Sequence, residues 1–129
     1  MQNTPSLTAR VAAVLRAAHQ LLEGGAIFSD PLAVPICGED AGAISRFMRE
    51  HPDRLRLVIV ARSRFAEECL AHAVDRGVRQ VVVLGAGLDT FGLRNPYAVK
   101  GLHVFEVDRP ATQQWKRDCL EKANVPIPS

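Results

Sequence analysis

The segment "VVVLGAGLDT", residues 81–90, runs a row of apolar side chains into Gly85-Ala86-Gly87 and closes on a carboxylate, Asp89. Consecutive β-branched residues that stop at glycine predict a strand covered on both faces, as in a parallel sheet. Gly85 and Gly87 carry no Cβ, so the backbone can turn sharply there and come close to a ligand. After a loop through Asn95-Pro96, "GLHVFEVD" (101–108) predicts a second strand, with Leu102, Val104 and Phe105 followed by Glu106 and Asp108. "PATQQWKRDCLEKA" (110–123) then reads as a helix with Pro110 in its first turn, where a missing amide costs nothing. Strand, glycine turn, connector and a second strand ending in acid form the opening half of a doubly wound α/β sheet. Ligands of that architecture bind beyond the carboxyl ends of the strands.

Upstream of this unit the pattern is helical. "TPSLTARVAAVLRAAHQLLEGG" (4–25) offers Ser6 or Thr8 as N-cap and Gly24-Gly25 as a stop. Its apolar face is read as Val11, Val14, Leu15, Ala18 and Leu22, and His19 as a surface or packing residue. In "FSDPLAVPIC" (28–37), Pro31 and Pro35 predict a turn segment without a continuous helix. "ISRFMREHPDR" (44–54) predicts a short helix broken at His51-Pro52. A long helix follows to Gly77, with Asp53 as cap and Val58, Ala61, Phe65, Cys69 and Ala73 as its buried stripe. Cys69 there reads as a small buried hydrophobe. The expected organisation is a helical cap segment, 1–52, and the first half of a ligand-binding unit, 53–129.

Composition narrows the function classes. A chain of 129 residues, 47% apolar, fits one soluble globular domain. A net charge of +2 with scattered arginines leaves no electrostatic footprint for nucleic acid. Cys37, Cys69 and Cys119 are odd in number and include no C-x-x-C pair, which argues against a disulfide framework or a metal site and for a reducing compartment. The N-terminus carries no signal sequence and no apolar run reaches membrane-spanning length, so a cytoplasmic chain without a membrane partner is expected.

The ligand is narrowed by charge. Glu106 or Asp108 falls about twenty residues after the glycine turn, where a carboxylate accepts from two ribose hydroxyls. The two alternate on an extended strand and so point to one side; either serves. A dinucleotide site would want glycine where Thr90 stands, and Asp89 would repel a pyrophosphate. S-adenosylmethionine carries adenosine without phosphate, a zwitterionic amino-acid end and a cationic sulfur. A nearby carboxylate suits it.

"ARSRFAEE" (61–68), "RQVVVLGAGLDT" (79–90) and "VFEVDRPATQQWKR" (104–117), in this order and spacing, resemble the leucine carboxyl methyltransferase family. The branch they are most similar to is the bacterial, especially actinobacterial, S-adenosylmethionine-dependent group. "LTARVAAVLRAAHQ" (7–20) and "FSDPLA" (28–33) extend the resemblance over essentially the whole chain. It implies a Rossmann-like class I methyltransferase fold, N-terminal part only. It also implies that Arg62 pairs with the carboxylate of the cofactor, a task suited to a guanidinium fork. Gly85 would line the cofactor turn beside Ala86 and Gly87. Asp108 would take the ribose hydroxyls, with Glu106 as second choice, and Asp89 would contact the amino group of the cofactor or brace the loop. Two departures are mild: Phe91-Gly92 replaces a usual arginine, and Glu67-Glu68 stands where aspartate is common.

The activity implied is methyl transfer to an oxygen nucleophile, often a carboxylate, on a small molecule or other carboxylate-bearing acceptor. An ionised carboxylate needs no strong base, so alignment supplies most of the acceleration. No catalytic residue is named; none of His19, His51, His72 and His103 sits in a motif. Such a fold has a seven-stranded sheet and only two strands are read here. The expectation is therefore a cofactor-binding N-terminal fragment, marginal in stability or reliant on self-association through exposed sheet edges. A nicotinamide-dependent oxidoreductase half-domain and a non-catalytic interaction module are the alternatives.

Overall fold

A computed structural model describes residues 5–50 and 54–128. Helix α1 spans Leu7–Glu23, opened by the Ser6 hydroxyl accepting from Ala9 N and closed by Gly24 at φ 61°. Its buried face is Ala13, Leu15, Ala17, Ala18 and His19, while Val11 and Leu22 of the expected face are exposed. Alanines occupy little width, and α1 packs closely on α2 (Ala33–Cys37), α3 (Ala41–Glu50) and α4 (Leu55–Asp75). His19 is a fully buried packing residue. Its Nε2 accepts from Ile27 N and Phe28 N at 3.2 and 3.3 Å, which places the ring proton on Nδ1, facing Glu23.

Two expectations fail here. A helix, α2, forms across Pro35 because that proline is its third residue. The first four amides of a helix have no intrahelical partner, so the missing N–H removes nothing. On α4 the predicted buried stripe faces out: Val58, Ala61, Phe65 and Cys69 are exposed, and only Ala73 is half-buried. The inward face instead carries Val60 and Val74, with half-buried Ile59, Ser63, Glu67 and Leu70. Arg56 and Glu67 fix that orientation by ion pairs to Glu23 and Arg94, which an apolar periodicity does not register. The expected break at His51-Pro52 and cap at Asp53 lie outside the described residues.

Strands β1 (Gln80–Leu84) and β2 (His103–Val107) pair in parallel, Gln80 opposite His103 through Leu84 opposite Val107. The short helix α5 (Phe91–Arg94) and a 3-10 turn (Ala98–Lys100) connect them, and α6 (Pro110–Lys122) follows with Pro110 first, as expected. On the inner face Val81 and Val104 pack against Val74, Phe91 and Leu102. The other face departs from the sequence expectation of double coverage. Val82, Leu84, Phe105 and Val107 share it and are between 49% and 77% exposed. The main core gathers the alanine face of α1, Ile36, Ile44, Met48, Leu88, Cys119 and Leu120, and so runs continuously across the 52/53 boundary. Among the described residues no helix is long and apolar enough to cross a membrane.

Candidate functional site

Backbone geometry accounts for the glycines of the turn. Gly85 and Gly87 have φ of 61° and 50°, the left-handed region that disfavours side chains. At Gly85 a Cβ would meet nothing within 4 Å. At Gly87 it would lie 3.0 Å from the Ala9 Cβ, so absence of a side chain is what lets α1 sit against the turn. Gly85 N and Ala86 N both donate to Val107 O, carrying the parallel ladder past the strand ends.

Beyond the carboxyl end of β1 a cleft of about 530 Å³ opens between α1 and α4. Gly85, Ala86 and Asp89 form its floor, Arg62, Ser63, Phe65 and Ile59 one wall, and Arg16 with Ala12 the other. Four of the residues singled out in the sequence, Arg62, Gly85, Ala86 and Asp89, thus meet in one place. Among the described residues neither Arg16 nor Arg62 has a hydrogen-bond or ion-pair partner. Each guanidinium fork presents a planar array of donors to the cleft, a chemistry that suits an anion. Asp89 accepts from Phe91 N through Oδ1 at 2.8 Å, capping the turn into α5.

Gly87 and Asp108 do not line this cleft. Asp108 lies past the last residue of β2, and its Oδ2 accepts from Gly87 N at 2.8 Å while Oδ1 accepts from Arg109 N at 2.7 Å. Each carboxylate oxygen accepts two bonds, so capacity remains for a further donor. Glu106 is not brought to the cleft. It lines a separate groove of about 770 Å³ along β2, and Lys116 Nζ holds its two oxygens at 2.6 and 2.8 Å. Lys116, almost fully buried, also donates to Asp89 O at 2.6 Å and so ties α6 to the loop.

Behind the loop lies a buried ionic network. Asp30, 1% exposed, accepts from the Thr90 hydroxyl at 2.6 Å. Arg94 Nε donates to Thr90 Oγ1 at 2.9 Å, and its terminal nitrogens donate to Glu67 at 3.2 and 2.8 Å. Burial alone would ease the proton off Arg94, but its hydrogen bonds to Glu67 and the charges of Glu67, Asp30 and Asp89 more than offset it and raise its pKa. Sequence reasoning missed Arg16, Lys116 and this network. The signal for Arg16 was its place within "LTARVAAVLRAAHQ"; the others join residues distant in sequence and left none.

A family model described as leucine carboxyl methyltransferase matches residues 9–129. The chain belongs to that family. A relative from Bacillus subtilis, "Putative S-adenosyl-L-methionine-dependent methyltransferase YktD", is 35% identical over 98% of this chain and 50% of its own length. A Streptomyces coelicolor protein of the same description, SCO7813, is 39% identical over 75% of this chain and 36% of its own. One from Saccharopolyspora erythraea is 33% identical over 92% of this chain and 42% of its own. The chain spans about half the length, or less, of the curated relatives it matches. Its architecture is the N-terminal part of the Rossmann-like fold of the leucine carboxyl methyltransferase family.

Proposed function

We propose that the cleft at the glycine turn binds S-adenosyl-L-methionine and that the chain is the cofactor-binding portion of a methyltransferase. The observation that carries this reading is the pair of partnerless arginines, Arg16 and Arg62, over a left-handed glycine that faces open space. The donor set fits the cofactor. Arg62, seconded by Arg16, takes the carboxylate of the amino-acid end through its fork. The remaining oxygen of Asp89 faces the amino group, and Gly85 and Ala86 admit the chain of the ligand close to the backbone. Gly87 presents its amide to Asp108, and in this reading the carboxylate takes the ribose hydroxyls with its remaining capacity. Glu106 is left to Lys116 in this reading, since sharing it with ribose would strip a buried ammonium of its counter-charge.

When bound, the cofactor supplies an electrophilic methyl on a sulfonium. The acceptor we infer is a small molecule bearing a carboxylate, ionised at neutral pH, so that no base from this chain is called for. Phe65 and Ile59 give the cleft an apolar wall. Residues 1–52 act as a helical cap that contributes Arg16, and residues 53–129 as the first half of the cofactor unit. Three free thiols agree with work in a reducing compartment such as the cytoplasm. The exposed apolar face of Val82, Leu84, Phe105 and Val107, with unpaired strand edges beside it, supports self-association of the isolated chain.

Titration calorimetry with S-adenosylhomocysteine and with NAD tests the site. S-adenosylhomocysteine should bind, NAD should not, and Arg62→Ala and Asp108→Ala should each weaken binding about tenfold or more. Binding of NAD in preference to S-adenosylhomocysteine refutes the reading. Sedimentation velocity tests the self-association.

A further inference from the structure

We propose that Asp30, Thr90 and Arg94 are positioning residues that clamp the glycine–aspartate loop in its ligand-ready shape. The proposal rests on the cofactor reading above and adds to it residues that do not line the cleft. Thr90 follows Asp89 directly, and its hydroxyl is a relay: it donates to Asp30 Oδ2 at 2.6 Å and accepts from Arg94 Nε at 2.9 Å. Both partners are anchored elsewhere. Asp30 N donates to Gln20 Oε1 at 3.1 Å, which links the clamp to α1 four residues, about one turn, beyond Arg16. Arg94 reaches Glu67 on α4 at 2.8 Å and stacks over Phe28 with its guanidinium 5.4 Å from the ring centre.

The clamp therefore touches each part of the cleft: α1 with Arg16, α4 with Arg62, and the loop that carries Gly85 to Asp89. Thr90 is 2% exposed and Asp30 1%, so water cannot replace a lost hydrogen bond. Removing the Thr90 hydroxyl leaves Asp30 Oδ2 without its donor and Arg94 Nε without its acceptor. The direct ion pair between Arg94 Nε and Asp30 Oδ1, at 3.4 Å, remains, but it no longer includes Thr90, and the loop between Gly85 and Phe91 loses its outer fixing point. The three walls stop being held at one spacing, and ligand affinity falls without any cleft residue having changed.

The test uses the full chain and two readouts. Thr90→Val preserves shape and removes the hydroxyl; Thr90→Ser restores it; Asp30→Asn removes the charge and serves if Thr90→Val does not fold. Amide hydrogen exchange of residues 85–91 without ligand should quicken severalfold in Thr90→Val and Asp30→Asn but not in Thr90→Ser. S-adenosylhomocysteine affinity should drop about tenfold in the first two and return in Thr90→Ser. Unchanged exchange at 85–91 overturns the clamp, as does faster exchange with wild-type affinity. Wild-type chain that binds no S-adenosylhomocysteine defeats the cofactor reading alone, and the exchange result then decides the clamp by itself.

Discussion

The two glycines of the turn should respond to alanine in different ways, and the difference can be worked out beforehand. Both sit in the left-handed region, at φ 61° for Gly85 and 50° for Gly87. Holding an alanine there costs about 1–2 kcal/mol. For Gly85→Ala the cost ends at that point, because its Cβ would meet nothing within 4 Å. For Gly87→Ala the new methyl would stand 3.0 Å from the Ala9 Cβ, and overpacking of this kind adds about 1–3 kcal/mol. Urea unfolding with an unchanged slope should thus show losses of about 1–2 kcal/mol at position 85 and about 2–5 kcal/mol at position 87. Gly85→Ala also puts a methyl into the cleft, so it should weaken S-adenosylhomocysteine more than its stability loss accounts for. The double variant Ala9→Gly, Gly87→Ala should be less destabilised than the sum of its singles, because the clash is pairwise. Equal destabilisation at 85 and 87, or additive behaviour of Ala9 with Gly87, would refute the geometry on which the site is built.

Other outcomes follow from the buried polar groups. Lys116→Met strips Glu106 of its partner; with the glutamate side chain 25% exposed, the loss should be on the order of 2 kcal/mol, and adding Glu106→Gln should recover much of it in a urea titration. Burial pushes the Glu23 carboxyl up, but hydrogen bonds from Arg56 and His19 outweigh it and bring its pKa below 4.5. A lowered folded pKa means stability that is present above about pH 4.5 and lost as pH falls through the folded value, so Glu23→Gln should cost more stability at pH 6.5 than at pH 3. Urea midpoints at the two pH values check the sign. Burial raises the thiol pKa of Cys37 and Cys119, whereas Cys69 is exposed. Iodoacetamide at pH 8 should label Cys69 first, read by mass spectrometry, and the other two only on unfolding.

What the sequence discloses is what depends on neighbours along the chain. The β1–turn–β2 unit is legible because three valines, a glycine requirement and the placement of Asp108 all act within the segment itself. Ser6 and Gly24 are legible for the same reason, as helix ends are set locally. The face of α4 is not, because Phe65 and Cys69 fall on a good apolar spacing while the helix is oriented by Arg56 and Glu67, whose partners are remote. Pro35 misleads because its effect depends on where in a helix it falls. Of the two acids at the end of the second strand, alternation alone puts both on one side. What separates them is Lys116, ten residues on, which claims Glu106, and the Gly87 amide, which turns Asp108 to the loop.

Ala9 is a gauge for the width of the cleft. It does not line the cleft, yet it sits on α1 seven positions before Arg16, two helical turns along the same face, and rests where the Gly87 side chain would be. A bulkier residue at position 9 has to lever the helix outward and carry Arg16 with it. The spacing of Arg16 and Arg62 is therefore adjustable from outside the cavity, through a single methyl.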